Sequence, residues 1–406
     1  MRTVEVAVIG GGIAGKACAL GLAQLGLQTI QIAPDLSAPV PSPQGSQWGQ
    51  RIYAFSPSTQ QLLSRLQIWD ALDHTRIQVV RDMRIYGDRG QAGDELHLSA
   101  FEAGTPQLAW IGESAVIEHT LDQASRFQNK LERLGDALQA ITVDSEGASL
   151  QLKHGEVIRA QLVIAADGAN SPIRSAIGIS ASEEDYSQSA VVANWICSNH
   201  HLETARQWFL PGGDILAMLP LPNKQVSMVW STSPEHAQSL LRLDQAGWEN
   251  TLASILGGAV SKLLGTLTLH STPAAFPLRK IRAQRFIGPA DSPRVALIGD
   301  AAHVMHPLAG QGLNLGLRDV ATLLRILGQR ESFRALNDIV LLRRYERQRQ
   351  GDTSALLWVT DKLKKLFSGS STTERQLRNW GLGLVNKSHF MKQRLIERAL
   401  GEIDFE

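Results

Sequence analysis

The side chains best suited to chemistry cluster in one stretch of the chain, residues 299–319. It opens with Gly299-Asp300, directly after an apolar run at 295–298. It then becomes dense in residues with special backbone properties: Pro307, Gly310, Gly312, Asn314 and Gly316. Glycine lets a backbone approach a ligand closely, and a helix that begins near Gly312 points unpaired N–H groups ahead of it. The pattern predicts a strand that delivers Asp300 to a ligand, followed by a loop and a helix start that hold an electron-rich part of that ligand.

A glycine loop near the start of the chain predicts the class of ligand. Gly10-Gly11-Gly12-Ile13-Ala14-Gly15 follows the apolar run at 4–9, and a helical pattern at 16–25 leads to a second strand at 29–32. Between a strand and a helix, the G-x-G-x-x-G spacing is typical of dinucleotide binding. Gly10 makes the tight turn, Gly12 admits the pyrophosphate, and Gly15 lets helix and strand pack closely. A glycine-rich turn without a ligand is the competing interpretation.

One expected feature of such a site is missing. The acidic residue that usually ends the second strand and holds the adenosine ribose would fall at position 33, where this chain has Ala33. Asp35 follows shortly after, so either Asp35 takes this role or the ribose is held in another way. Arg51 is a candidate phosphate partner because its guanidinium suits phosphate oxygens, although an arginine in a loop is more often simply solvated.

A third loop of this kind, Asp167-Gly168, follows the apolar strand at 162–166. Either it faces a ligand at the carboxyl edge of a parallel sheet or it is an ordinary turn. The loops at 10–15, 167–171 and 299–314 each follow a strand and can gather at one sheet edge. Three such loops favour a large, buried dinucleotide.

The remaining chain supplies the elements that position these loops. Hairpins are predicted at 83–98 and 148–159, and helices at 58–72 and 114–134. Glu113, just before the second helix, is interpreted either as a capping carboxylate or as a cofactor contact. Residues 34–50 are rich in Pro, Ser and Gly and are expected to form an exposed, mobile loop.

The alternation of apolar and polar residues between 188 and 275 predicts an antiparallel sheet that forms a second domain. We therefore expect a discontinuous nucleotide-binding domain at 1–180 and 276–340, and an inserted substrate domain at 181–275 to which residues 80–100 contribute. Residues 341–406 have a helical pattern with interleaved basic and aromatic residues. That pattern suits either an anionic membrane surface or partner, or packed helices with a solvated basic face.

Composition excludes several function classes. With 40 Lys and Arg against 39 Asp and Glu, the net charge of +1 provides no field that would attract nucleic acid. Cys18 and Cys197, the only cysteines, fit reduced core residues in a cytoplasm-like compartment. The first strand begins almost at Met1, which leaves no room for a signal peptide, and no apolar run is long enough to span a membrane.

The motif at 306–319, H-P-L-A-G-Q-G-L-N-L-G-L-R-D, resembles the signature of the class A flavoprotein monooxygenases, and more narrowly of the ubiquinone-biosynthesis hydroxylases. Other matches in order and spacing are 10–15, Arg51 with Ala54 and Ser56, 167–171 with Arg174, 276–278 and 299–303. The resemblance implies an α/β fold of the para-hydroxybenzoate hydroxylase type. Such a fold has a Rossmann-like FAD-binding domain, an inserted antiparallel β-sheet substrate domain and C-terminal helices. Ala33, Gly49, Ala166 and Ser114 depart from the family pattern.

The resemblance also implies roles for individual residues. Pro307, and more loosely His306, would lie at the reactive edge of the flavin, although His306 could instead order its own loop. The cofactor-binding set is Gly10, Gly12, Ile13, Ala14, Gly15, Arg51, Asp167, Gly168, Gly299, Asp300, Pro307, Gly310, Gly312, Leu313 and Asn314. No metal site is expected, because the pair His303 and His306 lacks further ligands nearby.

The function that the resemblance implies is hydroxylation of an aromatic ring of a polyprenylated phenol during ubiquinone biosynthesis. NAD(P)H would reduce FAD, and O2 would add to it to give a C4a-hydroperoxide that attacks the ring. NAD(P)H would bind transiently, because no second glycine fingerprint is present. A soluble aromatic metabolite as substrate, or a flavin-binding scaffold of a quinone-biosynthesis assembly, are the alternatives. The expected location is cytoplasmic, peripheral to the inner membrane or bound to other ubiquinone-biosynthesis proteins.

Overall fold

The structure is a computed structural model that describes residues 2–43, 45, 48–87, 95–305 and 311–368. Side chains are described throughout these ranges except at 311 and 357–368. The predicted site residues His306, Pro307 and Gly310 lie outside the described residues. So does most of the predicted C-terminal helical region, from residue 369 onward.

The strands are β1 (Arg2–Ile9), β2 (Thr29–Ile32), β3 (Ile52–Phe55), β4 (Ile77–Val80), β5 (Asp82–Tyr86), β6 (Glu95–Ser99), β7 (Ala109–Glu113), β8 (Leu131–Leu134), β9 (Leu138–Val143), β10 (Ala148–Leu152), β11 (Val157–Ala165), β12 (Ala181–Cys197), β13 (Thr204–Phe209), β14 (Ile215–Leu221), β15 (Gln225–Thr232), β16 (Leu267–Leu269), β17 (Ala274–Ala283), β18 (Ile287–Gly288), β19 (Val295–Leu297) and β20 (His303–Val304). The α-helices are α1 (Ile13–Gln24), α2 (Pro57–Arg65), α3 (Ala100–Ala103), α4 (Ser114–Arg126), α5 (Pro172–Ala176), α6 (Pro234–Leu241), α7 (Gln245–Ser254), α8 (Ala259–Leu264), α9 (Gln311–Gly328) and α10 (Ile339–Ser368).

A largely parallel sheet forms the first layer, in the strand order β18-β19-β11-β1-β2-β8, with β10 and β9 continuing from β11. β1 lies between β11 and β2, with Val6 opposite both Leu162 and Thr29. Val6, Ala7 and Val8 are fully buried, as expected when helices cover both faces of a parallel sheet. The predicted α/β fold class, the strand–helix–strand unit and the hairpin at 148–159 are confirmed.

A nine-stranded sheet forms the second layer, in the order β20-β17-β12-β15-β14-β13-β5-β6, with β16 beside β12. One of its faces packs against α6, α7 and α8 through an apolar core that contains Trp195, Trp208 and Trp248. The hairpin predicted at 83–98 is confirmed as β5 and β6, which join this sheet through a parallel pairing with β13. β17 crosses the predicted domain boundary at 276 and pairs with β12 as far as Ala283. The division of the chain into domains stays a prediction.

A small sheet of β3, β7 and β4 joins the two larger sheets, and a buried ion pair stabilises it. A guanidinium nitrogen of Arg76 lies 2.5 Å from Oε1 of Glu113, and the two side chains are only 8% and 2% exposed. Oε2 of Glu113 accepts a hydrogen bond of 2.6 Å from the backbone N–H of Gly49. Asn194 of β12 donates to the Gly49 carbonyl at 3.2 Å. Glu113 is the N-cap residue of α4, but its carboxylate makes no capping hydrogen bond. The carboxylate instead holds segment 48–50 between the small sheet and the nine-stranded sheet.

Three predicted elements differ from the structure. The helix expected over 58–72 ends at Arg65, because Gln67 has a φ of +60°, and residues 69–71 form a separate short turn. The exposed loop expected at 34–50 is wrong at Trp48, which is buried under the Arg76 guanidinium, 4.6 Å from its ring; Gly49 and Gln50 are exposed. The helix expected over 114–134 ends at Arg126, and residues 131–134 form β8 beside β2. The apolar spacing at 131–134 also fits a helix, but pairing with the open edge of the parallel sheet determines the outcome. Within the described part of the chain, no helix is both long enough and apolar enough to cross a bilayer.

The Arg76–Glu113 ion pair predicts a large stability effect. We expect Glu113→Gln to lower the free energy of unfolding by about 3 kcal/mol, because it leaves a buried guanidinium without its counter-charge. Glu132→Gln, which removes the partner of Arg2 where both side chains are about 40% exposed, should cost less than about 1 kcal/mol. Urea unfolding of both variants measures the difference, and equal losses would contradict the structural role of Glu113.

Candidate cofactor and substrate site

A cavity of about 820 Å³ lies where the parallel sheet meets the nine-stranded sheet. The three predicted loops line it together, because β1, β11 and β19 are adjacent parallel strands and their carboxyl ends meet at one sheet edge. Every described residue of the predicted cofactor-binding set lines this cavity: Gly10, Gly12, Ile13, Ala14, Gly15, Arg51, Asp167, Gly168, Gly299, Asp300, Gly312, Leu313 and Asn314.

The glycine loop after β1 shows which of its glycines serve the fold and which face the cavity. Gly10 has a φ of +135°, and a Cβ there would collide with the carbonyl of Ala166. A Cβ at Gly15 would collide with the carbonyl of Gly10, so helix α1 packs directly on the turn. A Cβ at Gly12 would meet no protein atom within 4 Å. Gly12 therefore leaves a space that opens on the cavity, next to the N-terminus of α1, where a pyrophosphate fits.

Asp35 lies close to this loop. Ala33, at the position where an acid is usual, and Asp35, two residues later, both line the cavity. A Cβ on Gly11 would collide with the Asp35 carboxylate, so this carboxylate lies directly over the glycine loop. The geometry favours Asp35 as the group that substitutes for the missing acid.

The second loop contains a buried acceptor without a partner. Oδ2 of Asp167 accepts a hydrogen bond of 3.1 Å from the backbone N–H of Ile173, whereas Oδ1 is buried and makes no hydrogen bond. Burial raises the pKa of Asp167, while the nearby Ser171 hydroxyl, the N–H of Ile173 and the charge on Arg174 act to lower it. An unpaired buried acceptor is costly unless a ligand donates to it, so Asp167 fits a ligand hydroxyl.

Arg174 ties the second loop to the third. Its guanidinium donates to the carbonyls of Ala301 at 2.8 Å and Ala169 at 2.9 Å, and the side chain is buried. The two loops are therefore held at a fixed separation across the end of the sheet. The sequence motif contained Arg174, but its two carbonyl partners could not be predicted.

The third loop presents Asp300 to the cavity. Gly299 has a φ of +58°, which favours glycine, and Asp300 is exposed on the cavity side. The surrounding protein raises the pKa of Asp300, while the positive charges of His303, Arg279 and Arg51 lower it. Those cations oppose the rise without reversing it, and the carboxyl oxygens of Asp300 can accept hydrogen bonds from ligand hydroxyls.

A completely buried carboxylate, Asp319 of α9, holds this loop in place. Its Oδ2 accepts a hydrogen bond of 2.8 Å from the N–H of Gly299 and lies 2.7 Å from Nε2 of His303. Its Oδ1 accepts a hydrogen bond of 2.6 Å from Nε of Arg349 in α10. Burial alone would raise the pKa of Asp319, but His303 and Arg349 hold it below the ordinary 3.8. His303 is thereby engaged in the protein interior, and the structure brings no further ligand-type residue to it within the described ranges.

Asn314 lines the cavity, but its side chain bonds to protein. Oδ1 accepts hydrogen bonds from the N–H of Ser56 at 3.0 Å and from the hydroxyl of Thr59 at 2.7 Å. Nδ2 donates to the carbonyl of Ala54 at 2.8 Å. Asn314 therefore fixes the start of α9 against β3 and α2, which leaves Gly312 and Leu313 at the cavity wall.

Several cavity residues were missed by the sequence analysis. Tyr53 and Glu118 both line the cavity. Burial raises the pKa of the Tyr53 hydroxyl most strongly; the charge on Arg51 lowers this pKa, and the charges on Asp300 and Glu118 raise it. Residues 136–138 line the side of the cavity that the parallel sheet forms. Tyr53 shares a face of β3 with the core residue Phe55, so the alternation alone did not point to the cavity.

The opposite wall of the cavity is the free face of the nine-stranded sheet. It is mostly apolar, with lining residues Met83, Ile85, Leu98, Ala205, Gln207, Ile215, Ala217, Leu219, Val229 and Ser231, and Arg84 and Arg206 also border it. The cavity thus has a polar half around the loops and an apolar half against the sheet. Such a combination binds a polar cofactor beside an apolar ligand.

The residues present fit FAD on grounds of this structure alone. The space beside Gly12, the unpaired acceptor of Asp167 and the carboxylate of Asp300 suit a pyrophosphate and a polyhydroxylated chain. Arg51 would add a cation for the phosphates, and Gly312 and Leu313 would face the flavin ring. These individual roles stay predictions.

Comparison with known proteins gives one consistent result. Residues 3–357 match the model of the family described as "FAD binding domain". The 3-demethoxyubiquinol 3-hydroxylase of Escherichia coli (strain K12) is 34% identical, over 98% of this chain and 99% of that protein. The mitochondrial ubiquinone biosynthesis monooxygenase COQ6 of Homo sapiens is 32% identical, over 97% of this chain and 92% of that protein. Among solved structures, pqsL of Pseudomonas aeruginosa, a probable FAD-dependent monooxygenase, superposes with a TM-score of 0.76 at 21% identity, covering 94% and 99% of the two chains.

Alanine substitutions at Gly12 and Gly15 should affect different properties, FAD binding at Gly12 and folding stability at Gly15. Gly12→Ala meets no protein atom, so it should leave the unfolding of the FAD-free protein unchanged and weaken FAD binding by on the order of tenfold. Gly15→Ala forces the turn and α1 apart and should lower the free energy of unfolding by roughly 1–3 kcal/mol. FAD titration and urea unfolding of both variants provide the measurements. A Gly12→Ala protein that binds FAD normally would contradict the placement of the pyrophosphate.

The Asp319 network predicts a dependence of stability on pH. Because the folded-state pKa of Asp319 is lowered, its contribution is complete above the ordinary 3.8 and is lost as the pH falls through the folded value. Asp319→Asn should therefore cost about 3 kcal/mol of unfolding free energy at neutral pH. The difference in unfolding free energy between Asp319→Asn and the wild-type protein should shrink below pH 3.8. Asp291→Asn, at an exposed position, is the matched control and should change little; a pH-independent loss at Asp319 would refute the assignment.

Proposed function

The chain belongs to the FAD-binding domain family, among the FAD-dependent aromatic monooxygenases, and we propose that it hydroxylates a polyprenylated phenol in ubiquinone biosynthesis. Its curated relatives at more than 30% identity are hydroxylases of that pathway by name, and the similarity extends over nearly the whole chain. NAD(P)H is the expected source of electrons, and O2 the source of the added oxygen atom.

The observation that carries this proposal is the cavity itself. Its loop side has open space beside Gly12 and carboxyl acceptors, which suit a pyrophosphate and hydroxyl groups, and its sheet side offers a mostly apolar surface of aliphatic and small residues. An aromatic ring with a prenyl chain is a ligand whose surface is mostly apolar and would bury that area favourably. The volume of about 820 Å³ accommodates a ligand larger than a simple phenol beside a cofactor.

When bound, FAD would accept a hydride from NAD(P)H and activate O2 for transfer of one oxygen atom to the ring. The protein's own residues would do the remaining work. Gly12 and Arg51 would hold the phosphates, Asp167 and Asp300 would accept hydrogen bonds from ribose or ribityl hydroxyls, and segment 48–50 would help exclude water. Exclusion of water matters because it favours oxygen transfer over side reactions.

We further propose that the protein works at the membrane surface or next to other ubiquinone-biosynthesis proteins. A polyprenylated substrate partitions into the bilayer, so the enzyme must collect it there or receive it from a partner. The basic and aromatic pattern of the sequence after residue 341 supports such an association. Flotation of the full-length protein with anionic and with neutral vesicles would test this association. If the protein floats with neither kind of vesicle, a protein partner is favoured.

The substrate proposal has a direct test. In the FAD-loaded protein, a phenol with a geranyl chain ortho to its hydroxyl should stimulate NAD(P)H oxidation and gain one hydroxyl group. Ala217→Phe fills the sheet side of the cavity and should lower kcat/KM for that phenol by at least about tenfold without loss of bound FAD. A strain that lacks the gene should accumulate a quinone precursor that lacks one hydroxyl group. An unchanged quinone content in that strain would contradict the proposal.

The alternative is a class A hydroxylase of a soluble aromatic metabolite. It predicts that unprenylated phenol stimulates NAD(P)H oxidation as well as the geranyl compound does. A low-ranked alternative is a flavin-binding scaffold, in which Ala217→Phe would leave the quinone content of the cell unchanged. The apolar sheet wall favours the prenylated substrate over both.

A further inference from the structure

The face of the nine-stranded sheet that lines the cavity carries an uneven distribution of polar groups. Side chains alternate along β13, so Ala205, Gln207 and Phe209 share one face while Arg206 and Trp208 share the other. Trp208 packs in the core against α6, α7 and α8, which identifies the face opposite the cavity. Gln207 therefore points toward the cavity, and it is one of the cavity-lining residues.

The charged side chains of these strands point away from the cavity. Arg84 of β5 lies opposite Arg206 of β13, and Nη1 of Arg84 bonds to Glu95 at 2.7 Å. Nη1 of Arg206 donates to the carbonyls of His201 at 2.9 Å and Thr204 at 3.2 Å. Arg84 and Arg206 border the cavity, but the strand alternation and these hydrogen bonds place their guanidinium groups on the opposite face of the sheet. Among the described lining residues of β5, β6, β13, β14 and β15, these two are the only lysines, arginines or histidines.

Gln207 is the long polar side chain on an otherwise apolar row. The register places Ile85, Gln207, Ala217 and Val229 next to one another on four adjacent strands. Ala217 leaves space beside the Gln207 carboxamide, and the half-buried carboxamide makes no side-chain hydrogen bond within the described ranges. A carboxamide offers two N–H donors and a carbonyl acceptor, and it carries no charge.

We propose that Gln207 determines substrate specificity by hydrogen bonding an uncharged oxygen substituent of the aromatic ring. The same face would reject a ring that carries a carboxylate, because burying that charge without a cation is costly. This inference rests on the proposed function and specifies the substrate class further: a neutral phenol with an apolar chain, rather than a hydroxybenzoate. It also places Ala217 as the residue that makes room for the ring.

The test uses two probes that differ in one group. The first is the geranylphenol described above, and the second is the same compound with a carboxylate para to the hydroxyl. For the FAD-loaded wild-type protein, we expect the first probe to stimulate NAD(P)H oxidation and to perturb the flavin absorbance spectrum at much lower concentration than the second. Gln207→Leu should raise KM for the first probe by about tenfold, the loss of a single hydrogen bond, with little change in kcat or FAD affinity.

Gln207→Arg provides a gain-of-function arm. The new guanidinium would pair with the carboxylate, so the second probe should become the better substrate. Gln151→Leu, at an exposed position of β10 in the other sheet, is the matched control and should behave as wild type. A Gln207→Leu enzyme with unchanged KM, or a wild-type enzyme that uses both probes equally, would overturn the role of Gln207 and leave the hydroxylase function standing. If neither probe stimulates the wild-type enzyme or perturbs its spectrum, the proposed function fails and this inference fails with it.

Discussion

A completely buried negative charge, the carboxylate of Asp319, determines how the site is assembled. A buried carboxylate is stable only when donors and counter-charges surround it, and here Gly299, His303 and Arg349 provide them. These partners come from the third ligand loop, from β20 and from α10. Satisfying one carboxylate therefore fixes the loop that presents Asp300, the start of α9 and the position of α10. Gly316, whose Cβ would lie 3.1 Å from the Gly299 Cα, lets α9 pack close enough for this arrangement.

The cavity then joins two walls with different chemistry. Adjacent parallel strands bring three polar loops to one edge, while the nine-stranded sheet offers a mostly apolar face. The guanidinium groups of Arg84 and Arg206 form their hydrogen bonds on the other side of that sheet. Glu113 and Arg76 connect the two by holding segment 48–50 against Asn194. A cofactor on the polar side and a ring on the apolar side would thus meet where Gly312, Leu313 and the sheet approach each other. The single polar position on the apolar row, Gln207, is then the natural place for selection among rings.

How much of this could be predicted from sequence depends on how local the cause is. The glycine loop, the Asp167-Gly168 turn and the Gly299-Asp300 turn were predictable because a strand followed by such residues has few alternatives. Their convergence was also predictable, since the carboxyl ends of neighbouring parallel strands share one edge. The pairing of Glu113 with Arg76 and the burial of Trp48 depend on contacts between distant parts of the chain, so spacing alone could not reveal them. Asn314 was found by its motif, but its partners at Ala54, Ser56 and Thr59 became visible only in three dimensions.

The central claim is that one cavity brings a flavin and an apolar phenol together for oxygen transfer. Mass spectrometry of the product formed under oxygen-18 gas tests it most directly, with the purified FAD-loaded protein, NAD(P)H and the geranylphenol. The account predicts a hydroxylated ring that contains one oxygen-18 atom, formed in proportion to the NAD(P)H consumed. Consumption of NAD(P)H with hydrogen peroxide as the only oxygen product, and no labelled phenol, would contradict it.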